Sequence, residues 1–340
     1  MNYFEPEGLL KKAPPTRRAA YSDRTAWLMA EMAGLAYIRF ESQQLNLLEV
    51  ALKLENMNAG EIQQYLAKEV LPAADRTDGK EAIKKPLITS GFDLVKTFSN
   101  GGTQAFLAKR ETDKLAVLAF RGTEATQLAD IKADLNALIT NKNGSRIHTG
   151  FLNAFKYIQD SIESELEEFG DEYALYITGH SLGGALAIIA TKSLNRDNLA
   201  ACYTYGSPRV GSSEFGDAIK TPIYRIVNTA DIVPRMPPGL VIELLVDLLR
   251  FIKFIFPFSE IVASWLDNKV SGYRHHGDMR YLTHCKAPDC SDVRLIANIS
   301  FLARCRRLFK NRISLDKNVT HHGINKYREK LAAYAQKRAG

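Results

Sequence analysis

A serine set between glycines, Gly179-His180-Ser181-Leu182-Gly183, is the first place where this chain could do chemistry. A lone hydroxyl is a poor nucleophile. It becomes a good one when a histidine takes its proton and a carboxylate holds that histidine in the right tautomer. The reaction so enabled is attack on a carbonyl followed by release of an acyl intermediate. Flanking sequence separates this reading from an ordinary Gly-rich turn. Residues 173–178, Tyr-Ala-Leu-Tyr-Ile-Thr, read as a buried strand, and residues 184–192, rich in Ala and Leu without a breaker, read as a helix. A serine at a sharp strand-to-helix turn has its hydroxyl pushed into a cleft, and small neighbours leave room for adjacent chain.

The acid and the base must come from elsewhere. Asp231 is the candidate acid: a strand over 223–227 delivers Asn228-Thr229-Ala230-Asp231, and Ile232-Val233-Pro234 then turns the chain. An aspartate capping a turn is the plainer alternative. Two histidine doublets follow. His275 and His276 precede a strand-like run at 279–283; His321 and His322 stand at the entry to a terminal helix. Where the nucleophile sits on such an elbow, the acid and then the histidine follow it on loops at the carboxyl ends of later strands. That order favours the later doublet, because a histidine at the start of a strand more often makes a structural hydrogen bond. The tetrahedral intermediate also needs two N–H donors aimed at its oxyanion. Leu182, directly after the nucleophile, is one candidate. Thr123, in the turn Arg121-Gly122-Thr123 that ends a strand at 115–120, is the other.

The elements that position these residues read as alternating strand and helix. Strand-like runs occupy 104–109, 115–120, 173–178, 201–205 and 223–227, with helical patterns at 151–169 and 185–194 between them. That alternation argues an α/β fold with a mostly parallel sheet and helices on both faces. The region 20–85 is helical in pattern, with apolar residues at helical spacing over 25–37 and 58–68. A chain of 340 residues with 46% apolar content can bury a large core. One domain over 1–340 is expected, elaborated by the helical region 20–85 and by a helical insertion at 240–268.

Charge and cysteines bound the remaining classes. The net charge of +7 is concentrated in Lys11, Lys12, Arg17 and Arg18 and in Arg304, Arg306, Arg307, Lys310 and Arg312. Such patches meet nucleic acid or an anionic membrane surface, but more often they are solvated helix faces. The first 20 residues contain no continuous apolar stretch of the Sec signal type, so the expected location is the cytoplasm, or export by a route without such a signal. Four cysteines spread through a chain of this size do not require a disulfide framework. His284, Cys285 and Cys290 are close in sequence but lack a second matching pair for a metal. No cofactor is expected.

Five blocks in consistent order carry a resemblance: Ala119-Phe120-Arg121-Gly122-Thr123, His148-Thr149-Gly150-Phe151, Gly179-His180-Ser181-Leu182-Gly183-Gly184, Tyr205-Gly206-Ser207-Pro208-Arg209-Val210-Gly211 and Asp231-Ile232-Val233-Pro234. Across residues 20–327 the chain resembles the class 3 lipases, the α/β-hydrolase family of fungal triacylglycerol lipases and plant phospholipases A1. The expected source is bacterial. The resemblance implies an α/β-hydrolase fold, Ser181 as nucleophile, Asp231 as acid, and Thr123 and Leu182 at the oxyanion hole. It maps the base to His322, ahead of the aromatic Tyr327, and leaves His275 a supporting role. His321 stands where the family usually has Asp.

Two stretches bear on lipid access. In similar lipases the residues after the oxyanion turn supply a lid helix; here that is 124–140, with Leu128, Ile131, Leu135 and Leu138 as its apolar face. In 240–256 the charges Glu243, Asp247, Arg250 and Lys253 fall within an arc of about 120° on a helix, the rest being aliphatic or aromatic. Charge recurs too often there for a membrane span. A helix lying in a lipid interface, a cover for the acyl-chain pocket, and a helix buried against the core all fit it. The expected function is a lipid carboxylic-ester hydrolase acting on triacylglycerol or phospholipid, meeting membranes peripherally through 240–256 and 304–312, and not a nucleic-acid binder. The alternative is a catalytically silent member of the fold that binds lipid or a partner.

Overall fold

A computed structural model of the protein describes residues 18–38, 54–55, 57–65, 79–122, 139–142, 145–229, 231, 233–235, 258, 261, 273–300, 303–304, 306 and 321–339. Three helices come first, α1 (Asp23–Leu35), α2 (Ala59–Tyr65) and α3 (Gly79–Thr89). Strands β1 (Asp93–Asn100), β2 (Thr103–Arg110) and β3 (Leu115–Phe120) follow as antiparallel neighbours. After the hairpin β4 (Ile139–Lys142) and β5 (Ser145–His148), the chain alternates: α4 (Thr149–Phe169), β6 (Ala174–His180), α5 (Leu182–Leu194), β7 (Leu199–Tyr205), α6 (Ser213–Asp217) and β8 (Ile223–Asn228). It ends with β9 (Asp278–Leu282), β10 (Leu295–Ala297) and α7 (Ile324–Ala339).

Eight strands form one sheet in the order β1-β2-β3-β6-β7-β8-β9-β10, parallel from β3 through β9 and antiparallel at both ends. Its central strands are buried on both faces, which is why they read as near-continuous apolar runs. Alternate side chains of β6 go to opposite layers. Tyr176 joins Trp27 and Met29 of α1 and Tyr327 and Leu331 of α7, while Leu175 and Ile177 join Phe155 of α4 and Ile188 of α5. The Thr178 hydroxyl donates to the Met29 carbonyl at 3.1 Å, tying α1 to the sheet. A buried ion pair between Arg328 and Glu31, at 2.6 Å, joins α7 to α1.

Three features depart from the sequence reading. β1 was not expected: apart from buried Phe98 its residues are half-buried or exposed, so no apolar run announces this edge strand. The stretch 124–140 is not helical to its end, because Ile139 and Thr140 begin β4 and pair with β5; residues 124–138, including the expected lid residues, lie outside the described ones. Cys285 and Cys290 form a disulfide, so their sulfurs are not free to hold a metal. Among the described residues no helix is long and apolar enough to cross a membrane.

Candidate active site

Ser181 lies between β6 and α5 with φ 57° and ψ −125°, a conformation that costs on the order of 1–3 kcal/mol and that the packing around it must enforce. Its N–H donates to the Tyr205 carbonyl at 2.9 Å, locking the elbow to the end of β7. Two glycines make this turn sterically feasible. A Cβ on Gly179 would run into the Gly183 carbonyl, and one on Gly183 into the Phe120 carbonyl. The close approach of β6, α5 and the end of β3 is therefore written into the glycine spacing.

The Ser181 Oγ is 2.8 Å from His322 Nε2, and His322 Nδ1 is 2.9 and 2.8 Å from the two carboxylate oxygens of Asp231. All three residues are buried. Asp231 sits just past β8, its Oδ1 accepting the Val233 N–H at 2.9 Å and its Oδ2 accepting the Tyr327 hydroxyl at 2.5 Å. The carboxylate is thus fixed on both oxygens. With Nδ1 donating to it, His322 presents a bare Nε2 to the serine, the tautomer a general base needs. Gly206, with φ +58°, leaves the space: a Cβ there would stand 2.5 Å from Asp231 Oδ2.

A second ring of polar groups holds His322 in place. His180 Nε2 lies 2.6 Å from the His322 carbonyl, which can only accept, so Nε2 carries the hydrogen and Nδ1 accepts the Tyr37 hydroxyl at 2.7 Å. Burial, followed by the neighbouring His322, pushes the His180 pKa well below 6.5 and keeps that ring neutral. Asn228 donates its side-chain amide to the His321 carbonyl at 2.8 Å, and its own N–H goes to the Tyr327 hydroxyl at 3.1 Å. Lys330, buried on α7, donates to Asn228 Oδ1 at 2.6 Å and to the Thr283 carbonyl at 2.8 Å. Burial first, then the charge of Lys326, brings the Lys330 pKa down to about 8.

Of the residues singled out by sequence, the structure brings Ser181, Asp231 and His322 together and places His275 apart. His275 Nε2 donates to the Pro234 carbonyl at 2.5 Å, and desolvation, with Arg225 and Arg209 beside it, holds its pKa well below 6.5. Leu182 opens α5, where a first-turn N–H has no acceptor within the helix and is free to face an anion. Thr123 lies outside the described residues; Gly122 before it packs so tightly on the His180 carbonyl and Tyr37 hydroxyl that no Cβ fits. Residues 240–256 are also outside, as are Arg307, Lys310 and Arg312. Sequence reasoning missed His180, Tyr37, Asn228 and Lys330 as supports. Only His180 carried a signal, its place inside the glycine-serine motif.

The part of the chain that carries the elbow and Asp231 is similar to known proteins. Residues 117–241 match the family model described as lipase (class 3). That matched stretch holds both Ser181 and Asp231. It is 32% identical over 169 residues to a lipase of Rhizomucor miehei, covering 44% of this chain and 46% of that one. It is 32% identical over 154 residues to secreted mono- and diacylglycerol lipase 1 of Fusarium solani, covering 40% and 44%. The chain thus spans less than half the length of these curated relatives. Lipase II from Rhizopus niveus superposes with a TM-score of 0.52 at 18% identity, over 89% of this chain and 94% of that one, a likeness of fold. These lipases are fungal and lend nothing to the expectation of a bacterial source.

Proposed function

We propose that this chain is a class 3 lipase and hydrolyses carboxylic esters of lipids through an acyl-enzyme. The observation that carries the reading is the continuous hydrogen-bonded path from Ser181 Oγ through His322 to Asp231, closed off from bulk water. Ser181 attacks the ester carbonyl while His322 Nε2 takes its proton, and the imidazolium is stabilised by Asp231 without proton transfer to it. The oxyanion is met by the Leu182 N–H and by a donor at Thr123. His322 returns the proton to the leaving alcohol, and water, activated by the same histidine, releases the fatty acid. No step calls for a metal or organic cofactor.

Two described residues just past the apolar stretch 240–256 support contact with a lipid surface: Phe258 and Ile261 are 70% and 63% exposed. Spaced three apart, they would share a helix face. With residues 240–256 and the basic residues from Arg304 onward, they would dock the enzyme on an anionic bilayer. The relatives' names point to acylglycerols, whereas the basic balance of the chain favours phospholipid; the shared chemistry is a glycerolipid ester.

The test is turnover of a p-nitrophenyl acyl ester by the wild type and Ser181→Ala, followed by mass spectrometry of products from mixed triacylglycerol and phospholipid vesicles. Ser181→Ala should lose several orders of magnitude in rate with the fold intact, since only a hydroxyl is removed. Near-normal turnover in that variant would overturn the mechanism and leave a lipid- or partner-binding role.

A further inference from the structure

The face of α7 that meets the sheet carries Tyr327, Leu331 and Ala335, an apolar stripe at helical spacing buried in the layer shared with α1. Lys330 stands beside that stripe and is 2% exposed, at a place the pattern would give to an apolar side chain. Its donors go to Asn228 Oδ1 at 2.6 Å and to the Thr283 carbonyl at 2.8 Å. No described carboxylate forms an ion pair with it; Glu329, its neighbour in sequence, pairs with Lys326 instead at 2.7 Å. Burying an ammonium costs several kcal/mol, and an apolar residue in such a place is often as good for stability or better. The charge therefore points to a use beyond holding α7 against the sheet.

Asn228 shows what that use is. It ends β8 shortly before Asp231 and is itself buried. Two donors converge on its Oδ1, the Lys330 ammonium and the Thr229 N–H at 2.9 Å. Neither can accept, so the oxygen must face them and the amide nitrogen must face the other way. There it donates to the His321 carbonyl at 2.8 Å, and that carbonyl belongs to the peptide unit leading into His322. The next carbonyl, that of His322 itself, is held by His180 Nε2 at 2.6 Å. Both peptide units flanking the base are thus pinned, one from the end of β6 and one from the end of β8. The ring between them has to keep Nδ1 on Asp231 and Nε2 2.8 Å from Ser181 Oγ at the same time. Misplacing a reacting group by about 1 Å costs on the order of a hundredfold in rate, so a shift of half that size costs about tenfold.

We propose that Lys330 is a positioning residue for the base: acting through Asn228, it fixes the peptide unit that enters His322 and so keeps the imidazole aligned between Ser181 and Asp231. The assignment rests on the reading of these three residues as an ester-hydrolysing relay. Lys330 touches neither substrate nor reacting atoms, and its effect passes through a single side chain. A lysine kept only to brace α7 would act through the Thr283 carbonyl, and its loss would lower Tm and spare kcat. One that positions the base acts through Asn228, and its loss lowers kcat with KM nearly unchanged, because substrate binding is not involved.

Steady-state hydrolysis of a soluble p-nitrophenyl ester by the whole chain, with thermal melts and proton NMR, tests the assignment. Lys330→Met should cut kcat about tenfold with KM within about twofold, the loss expected for a base displaced by about 0.5 Å. Asn228→Ala should cost about as much, and the double variant little more than either alone, because the two side chains act as one unit. The hydrogen between His322 Nδ1 and Asp231 should give a sharp low-field resonance in the wild type and a broadened one in Lys330→Met. If Lys330→Met does not fold, Lys330→Gln takes its place. A folded variant with kcat within about twofold of wild type, a loss confined to KM or to Tm, or losses that add in the double variant would each overturn the proposal. A wild-type chain that turns over no ester would refute the hydrolase reading instead, and the low-field resonance would then decide the role of Lys330 by itself.

Discussion

Tyr327→Phe removes one oxygen from the interior and no volume of consequence, so its effect reports hydrogen bonding alone. That hydroxyl donates to Asp231 Oδ2 at 2.5 Å and accepts the Asn228 N–H at 3.1 Å, with the ring fully buried. A hydrogen bond to a carboxylate contributes about 2 kcal/mol, and the stranded Asn228 N–H adds about 1 kcal/mol, for roughly 3 kcal/mol of stability. For a chain of this size that is a Tm loss of about 4 °C. If half of it, about 1.5 kcal/mol, is felt in the transition state through a looser Asp231 and hence a looser His322, kcat falls about tenfold. Burial, then the charge of Asp231, raises the Tyr327 pKa well above 10, so the phenol is a donor throughout the working range and the loss should not vary between pH 6 and 9. Differential scanning calorimetry and single-turnover hydrolysis of a soluble ester measure the two effects. A Tm within about 1 °C of wild type, or a deficit that changes across that pH range, would refute the reasoning.

Loss of the base should match loss of the nucleophile: His322→Ala is expected to fall as far as Ser181→Ala in ester turnover, whereas His275→Ala, which breaks a contact to the Pro234 carbonyl, should lower Tm more than kcat. An inactive His275→Ala beside an active His322→Ala would reverse the assignment. Stability should depend on pH through His180 and His275, both held neutral with pKa values well below 6.5. Below pH 6.5 the unfolded chain binds protons that the folded one refuses, so Tm should be level above about 6.5 and decline as pH falls beneath it; a Tm that rises on acidification through 6.5 to 5 would contradict this. Vesicle binding should weaken with salt, since exposed charges are screened beyond about 8 Å at physiological ionic strength. Phe251→Ser with Phe254→Ser, at positions outside the described residues, should lower turnover of vesicle lipid but spare a soluble ester, and equal losses on both would place that stretch in the core or pocket wall.

What was legible in the sequence followed from how each element is buried. β3, β6, β7 and β8 bury every residue, so their apolar runs stood out; β1, with one face towards solvent and a polar Asp-Leu-Val-Lys-Thr-Phe-Ser-Asn sequence, did not. Boundaries were read short where the motif itself continued the element. β6 runs through Gly179 and His180 to the elbow, and α5 begins at Leu182 directly after Ser181, because the turn is a single residue long. Glycine, usually a breaker, extends the strand here since only a residue without Cβ lets Gly183 approach.

The relay could be reached from chain order because Ser181 and Asp231 follow strands whose apolar pattern is plain and His322 stands at the entry to the terminal helix. Its supports could not. Tyr37 reaches His180 across 143 residues of sequence and Lys330 reaches Asn228 across 102, contacts for which no local periodicity exists. A buried lysine on α7 looks in sequence like any charge on a C-terminal helix, and only the fold shows that its ammonium bridges the end of β8 to the loop after β9. Lys330 spends its donors on two protein oxygens and is therefore a strut completed by the chain itself.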